Sequence, residues 1–345
     1  MSATLKISRV SSARARPYDG LTPDVVLDAL DSAGLHGDGR LLALNSFENR
    51  VYQASLEDGT TIVAKFYRPV RWSDAQILEE HAFALELAER EIPVVAPLRL
   101  QARTLHSFGG FRFAAYPRCG GRPPELENEG VLEWIGRFLG RIHALGSAAP
   151  FRERPALDIA AFGTGPRDWL LAHDCLPPDL KTVWASVADQ ALDGVRTAWQ
   201  RGGEVHAIRL HGDCHAGNIL WTEPNERVGA LGGPHFVDLD DARTGPAVQD
   251  LWMLLPGERA AAEKSLRALL RGYEQFHEFE RRELHLLEPL RTLRLLHYAY
   301  WLAHRWGDPA FPAAFPWFGT QRYWQDRILE LREQVAAMQE PLLAC

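Results

Sequence analysis

From Leu41 to Arg68 the chain alternates apolar and polar positions, LLALNSFENRVYQASLEDGTTIVAKFYR, and Asp58-Gly59 stands between two β-branched runs. A period of two belongs to half-buried strands, and Asp-Gly between such runs is a hairpin signal. Three antiparallel strands are therefore predicted near 41–44, 50–56 and 61–67. Upstream, Thr22 and Pro23 open LTPDVVLDALDSAG as a short amphipathic helix that Gly34 ends. Downstream the period lengthens. WSDAQILEEHAFALELAERE puts Ile77, His81, Ala84 and Ala88 on one helical stripe, with Ser73 as N-cap and Pro93 just past the end. Leu98–Leu100 and Phe111–Pro117, separated by Gly109-Gly110, read as further strands.

From Gly130 the pattern is helical: VLEWIGRFLGRIHALG spaces Leu132, Ile135, Leu139 and Ile142 as one face. Helices dominate the remainder except over 205–243, where VHAIRL, GNILW and HFVDLD are short apolar pieces bracketing polar loops. The expectation is an α+β fold of two lobes. A mobile basic tail (1–20) precedes a small β-rich N-lobe (21–117) and a larger helical C-lobe (118–345), with a ligand cleft between the lobes.

Composition narrows the function classes. A net charge of −7 argues against nucleic acid, which is held by basic stripes. No apolar run nears the roughly 20 residues of a membrane span, and the N-terminus lacks a secretory pattern. The four cysteines have no CxxC spacing and suit reduced thiols, so a cytoplasmic protein is expected.

The chemistry concentrates in LHGDCHAGNILW and, some twenty residues on, FVDLDDAR. Asp213 precedes Asn218 by five positions, the spacing of a kinase catalytic loop in which a carboxylate takes the hydroxyl proton and an amide holds metal. Asp238 follows an apolar strand, where a second, metal-holding carboxylate is expected. In IVAKFY, Val63, Lys65 and Tyr67 share one strand face, so Lys65 can point into the cleft and hold phosphates. Glu79 and Glu80 on the following helix are the candidate partners of that lysine. Glu80 is preferred because it lies nearer the apolar stripe.

HGDCHAGNILW with FVDLDDARTGPAVQDLWMLL resembles the aminoglycoside phosphotransferase and choline kinase family, which shares the protein-kinase fold. The segments NSFENRVYQ, VAKFYRPVRW, ILEEHAFAL, GGR and DPAFPAAFPW resemble a bacterial branch of that family, over roughly Leu21 to Trp324. Its members are cytoplasmic, ATP-dependent kinases that phosphorylate serine and threonine on proteins and act in stress survival. The resemblance implies that Asp213 is the proton acceptor, that Asn218 and Asp238 hold Mg²⁺, and that Ser46 lies in the nucleotide loop. ATP and Ser/Thr-bearing proteins are then the expected partners of a monomer; a kinase for an amino-alcohol or aminoglycoside hydroxyl is the alternative. Adenine is expected against Phe113–Cys119.

Two departures from the protein-kinase pattern matter. The loop LNSFENRVY has no GxGxxG, and HGD replaces HRD, removing the arginine that senses a phosphorylated activation loop. Downstream, Asp250 in GPAVQDLW is expected at a helix start, bracing the catalytic loop through backbone N–H groups. Two rival readings of the polar segment are a zinc site on His211, Cys214 and His215, and a Cys214 nucleophile beside His215. The first lacks a second cluster to complete four ligands, and the second lacks an oxyanion motif.

Overall fold

The computed structural model describes residues 16–224 and 231–345; residues 1–15 of the predicted tail lie outside the described residues. Five antiparallel strands form one sheet: β1 (Gly37–Leu44), β2 (Arg50–Leu56), β3 (Thr61–Phe66), β4 (His106–Phe108) and β5 (Phe111–Pro117), in the order β1-β2-β3-β5-β4. Helix α1 (Pro23–Ser32) is capped by Thr22, whose hydroxyl accepts the Val25 N–H, and Gly34 follows at φ 86°. Its Val26, Ala29 and Leu30 pack with Ala54, Ile62, Ala64, Phe66 and Phe113, all buried. This leaves the alternate residues of β3, Val63 and Lys65, on the other face, as period two requires.

Helix α2 (Asp74–Glu89) begins with a reciprocal capping box, Ser73 with Gln76. Its Ile77 joins Tyr67 and Ala114 in a second apolar cluster. The sheet register sets Lys65 opposite Val51 on one side and Ala114 on the other, so the lysine comes from a central strand with both neighbours paired.

The expected strand at Leu98–Leu100 does not form. Gln101 and Ala102 both take left-handed conformations (φ 50° and 63°), turning the chain back so that Arg103 pairs with Leu100. The fifth strand is instead β4, which meets β5 across Gly109-Gly110, both at positive φ, the conformation glycine adopts without strain. Hydropathy favoured Leu98 and Leu100; the turn chemistry that decides the hairpin sits ten residues later.

The described residues form two compact units: Pro17–Pro155 with Ala207–Phe279, and Ala156–His206 with Glu280–Ala344. In the first, α3 (Glu129–Gly146) crosses α7 (Arg259–Tyr273) with almost no space between backbones. A Cβ on Gly136 would lie 2.0 Å from the Leu269 carbonyl oxygen, and one on Gly140 would lie 2.4 Å from that of Tyr273. The glycines of IGRFLG are thus contact residues one helical turn apart. Two short antiparallel pairs follow: β6 (Ile208–Leu210) with β9 (Arg243–Gly245), and β7 (Ile219–Thr222) with β8 (Gly233–Phe236). They hold the polar loops 211–218 and 237–242, and α6 (Val248–Trp252) lies just beyond. The second unit is helical: α4 (Gly165–Ala172), α5 (Pro178–Gly202), α8 (Leu287–Arg305), α9 (Ala310–Ala314) and α10 (Gln321–Ala337). Its aromatics are largely packing: Trp184 meets Trp324 edge to face, both buried.

Candidate active site

Asp250 organises the loop 211–218. Its fully buried carboxylate accepts the His211 and Gly212 N–H groups, each at 2.8 Å, and lies 3.0 Å from His143 Nε2. The expectation that it braces the loop through backbone donors holds. The glycine of HGD also has a steric reason: at φ 86°, a Cβ on Gly212 would sit 2.1 Å from the Asp241 carbonyl oxygen. An arginine at this position is excluded by the close approach of the second acidic loop, whatever it does elsewhere.

Asn218 ends a 3₁₀ turn and donates through Nδ2 to the Asp213 carbonyl at 2.9 Å. That bond turns the amide oxygen away from Asp213 and leaves it available as a ligand. The Asn218 carbonyl accepts the Val237 N–H at 3.0 Å, and His211 Nε2 lies 2.9 Å from the Val237 carbonyl. Both bonds secure the residue before Asp238, so the two polar loops are fastened together. Asp238 itself is left-handed (φ 59°, ψ 61°), and its side chain is 54% exposed.

Lys65 reaches this loop. Its amine donates to Asp238 Oδ1 at 2.8 Å and lies 3.2 Å from Asp240 Oδ1, the latter an ion pair without hydrogen-bond geometry. Burial works against the ammonium, but Asp238 and Asp240 outweigh it and hold the lysine well above its usual pKa. Among the described residues no ion pair joins Lys65 to Glu80, the partner expected from sequence. Glu80 is buried on α2 with Oε2 unbonded, and it acts on Lys65 through space. Glu79 faces elsewhere and accepts three consecutive backbone N–H groups, those of Arg152, Glu153 and Arg154.

Asp240, which the sequence analysis did not single out, is a buried acid that several elements share. It is 2% exposed, and its Oδ2 takes hydrogen bonds from Asn49 Nδ2 (3.1 Å) and from Arg71 Nη1. Asn49 belongs to the β1–β2 loop, where Ser46 Oγ donates to the Asn49 carbonyl at 3.1 Å. Arg154 donates to the Asp240 carbonyl at 2.8 Å and lies over the Trp72 ring, 4.4 Å from its centroid. One carboxylate therefore ties the loop of Ser46 to the loop of Asp238. The repeated acids of DLDD were the available signal: where one acid of such a pair is exposed, as Asp238 is, the buried one, Asp240, needs cations.

Glu80 supplies a pH prediction. Burial raises its carboxyl from 4.5 to about 7, despite Lys65 and Arg154, which lower it. A carboxyl whose folded-state pKa is raised favours folding while protonated, so this contribution is present below pH 4.5 and lost as pH rises through about 7. The loss is on the order of 3 kcal/mol. Glu80→Gln should accordingly melt close to the wild type at pH 5 and above it at pH 8. Thermal melts at both pH values check this; a gap that does not widen with pH contradicts it.

The donor set of Asn218 and Asp238, an amide oxygen and a carboxylate, suits a hard divalent cation, whose binding there would take further oxygen donors. Among the described residues no cluster of three His, Cys, Asp or Glu side chains could hold a metal, so the zinc reading has no geometry. Cys214 is fully buried and its thiol is pushed well above the usual range, first by burial and then by Asp250 and Asp213. That disposes of it as a nucleophile. Among the described residues no helix is long and apolar enough to cross a membrane.

Known proteins resemble this chain along most of its length. A curated relative from Escherichia coli K12, stress response kinase A, is 45% identical over 326 residues, covering 94% of this chain and 96% of that one. A Salmonella typhimurium relative, serine/threonine protein kinase RdoA, is 44% identical over the same extent. Among solved structures, an amicoumacin kinase in complex with AMP-PNP, Ca²⁺ and its antibiotic matches with a TM-score of 0.69 at 18% identity, covering 92% of this chain and 93% of that one. A microcompartment-associated aminopropanol kinase matches at 0.67 and 14%, covering 92% and 97%. The fold is the protein-kinase-like one of these phosphotransferases, and the profile of the phosphotransferase enzyme family spans residues 40–287. The chain belongs to that phosphotransferase enzyme family.

Proposed function

We propose that the protein is an ATP-dependent serine/threonine protein kinase that acts in the stress response. The observation that carries this is the reach of Lys65 from β3 to Asp238, 2.8 Å away, in a chain 45% identical over 94% of its length to a stress response kinase. Ser46, Lys65 and Glu80 belong to a nucleotide lobe, 21–117; Asp213, Asn218 and Asp238 belong to a catalytic and acceptor lobe, 118–345. Four unpaired cysteines suit the cytoplasm, the compartment proposed for the protein.

In this mechanism the Lys65 ammonium leaves Asp238 for the phosphates of ATP, the loop of Ser46 closes over them, and Glu80 becomes the lysine's acidic neighbour on α2. Asp213 orients the acceptor hydroxyl and takes its proton. The hydroxyl oxygen bonds to the γ-phosphorus, the bond from that phosphorus to the bridging oxygen breaks, and ADP leaves. Mg²⁺, held by Asn218 Oδ1 and Asp238, would supply charge neutralisation at the phosphates. A second reading, transfer to a small amino-alcohol, draws on fold neighbours named for amicoumacin and aminopropanol. Purified protein incubated with [γ-³²P]ATP and Mg²⁺ in two arms, generic protein substrates and a panel of amino-alcohols, decides between them. Label recovered as phosphoserine or phosphothreonine is expected. Labelled amino-alcohol with no labelled protein overturns the protein-kinase reading and leaves the phosphotransferase.

A further inference from the structure

On α2, the residues that line the first unit's interior, Ile77, Glu80 and Ala84, are buried. Leu78, Ala82 and Leu85 lie on another face and line a cavity of about 770 Å³, within the usual range for small-molecule sites. The opposite wall is the segment 99–107, which contributes Arg99 and Arg103. Among the described residues neither guanidinium is paired with a carboxylate. The cavity's own acid, Asp74, is already engaged by Arg112 at 2.7 Å. An apolar stripe and two solvent-exposed cations thus line one open cavity, in a chain whose net charge is −7. The wall is held in a costly shape: Gln101 and Ala102 are consecutive left-handed non-glycine residues, and Gln101 Nε2 donates to the Ser32 carbonyl at 3.3 Å.

The cavity also connects to the lysine. His81 and Thr104 line it, and their side chains are 2.9 Å apart at His81 Nδ1 and Thr104 Oγ1. The other imidazole nitrogen, Nε2, is 2.7 Å from Tyr67 Oη, which lies 2.9 Å from Tyr116 Oη. The Lys65 amine stands 5.3 Å from the centre of the Tyr67 ring. Burial, with Lys65 and Arg154, drives the imidazole down to about 3, so at neutral pH it is an uncharged relay with one donor and one acceptor nitrogen.

We propose that this cavity is an effector site for a small amphipathic anion, a carboxylate, sulfonate or phosphate on an apolar or aromatic body. The body lies along Leu78, Ala82 and Leu85, and the anion sits between Arg99 and Arg103. Occupancy shifts Thr104 and His81, and through Tyr67 changes how Lys65 meets the nucleotide. Binding stands on the cavity alone; the effect on turnover also rests on the proposed kinase activity.

The probe is 8-anilinonaphthalene-1-sulfonate, titrated by fluorescence onto the full chain with AMP-PNP saturating. One saturable site is expected, weakened at least about tenfold in Arg99→Glu/Arg103→Glu, as expected when two charge-assisted contacts become repulsive. Ala82→Trp, which covers the apolar stripe and keeps both arginines, should weaken the signal at least about tenfold, and unchanged melting temperatures show that both variants fold. In the wild type the probe should change the KM for ATP more than kcat, and the double variant should lose this response. Equal affinity in the charge-reversed variant, or loss of all binding once AMP-PNP is present, overturns the site. Binding as described with no change in KM overturns the relay and leaves the proposed kinase function untouched.

Discussion

Replacing Asp213 by asparagine should lower phosphoryl transfer by roughly 10²–10⁴-fold, the range expected when a positioned general base is lost. Nucleotide affinity should stay within about twofold, because the positioning and charge that bind ATP come from other groups. The substitution separates the two roles of this residue. The Asp213 carbonyl, which accepts Asn218 Nδ2 at 2.9 Å, is untouched, so the amide proposed to hold Mg²⁺ keeps its orientation. The loop also keeps its anchor, since Asp250 holds the backbone N–H groups of His211 and Gly212, which the substitution leaves in place. Turnover measured at saturating ATP, with affinity for AMP-PNP measured separately, checks this. An Asp213→Asn enzyme retaining a tenth or more of wild-type turnover would remove Asp213 as the base. An enzyme that lost AMP-PNP binding would show the residue to be structural.

How far the sequence reached depended on the range of the contacts. The strands around Lys65 were legible because alternation and Asp58-Gly59 are local signals; the three strands form within a few residues of their predicted ends. The helix start at Ser73 was legible for the same reason, since a capping box is written in four consecutive residues. Asp213, Asn218 and Asp238 were proposed from spacing and resemblance, and the loops that carry them are fastened together through Val237.

What was not legible is long-range. The preference for Glu80 over Glu79 used a helical stripe, which does show the buried acid; it could not show that Lys65 turns to the second loop, 173 residues on. Nor could local pattern reveal that Asn49, read only as part of a loop lacking glycines, donates to an acid 191 residues later. Arg154, in a stretch with no periodicity, reaches the Asp240 carbonyl across 86 residues. Gly212 is the clearest case of a residue whose motif comparison gave only half of the account. Seen as a missing arginine, it is a place where two backbones touch.

The consequence of those distant contacts is that Asp240→Asn should destabilise the protein by about 3 kcal/mol at pH 7, the lower end for breaking one side of a buried ion pair. Lys65 and Arg71 keep other acids, Asp238 and Asp241, but Asp240 is the one fully inside the cluster. Burial opposes its charge, yet Arg71 and Lys65 hold its pKa at about 2, below the ordinary 3.8. A depressed carboxylate pKa contributes stability above the unfolded value that is lost as pH falls through the folded one. Wild type and variant should therefore differ most above pH 4 and converge toward pH 2. Denaturant titrations at pH 7 and pH 3 measure the gap. With the Asn49 amide facing another amide instead of a carboxylate, the loop of Ser46 is held less firmly, so the KM for ATP should rise more than kcat falls. Equal stability at pH 7 would mean that Asp238 alone satisfies Lys65, and that the second acid of DLDD is a bystander to both the fold and the nucleotide.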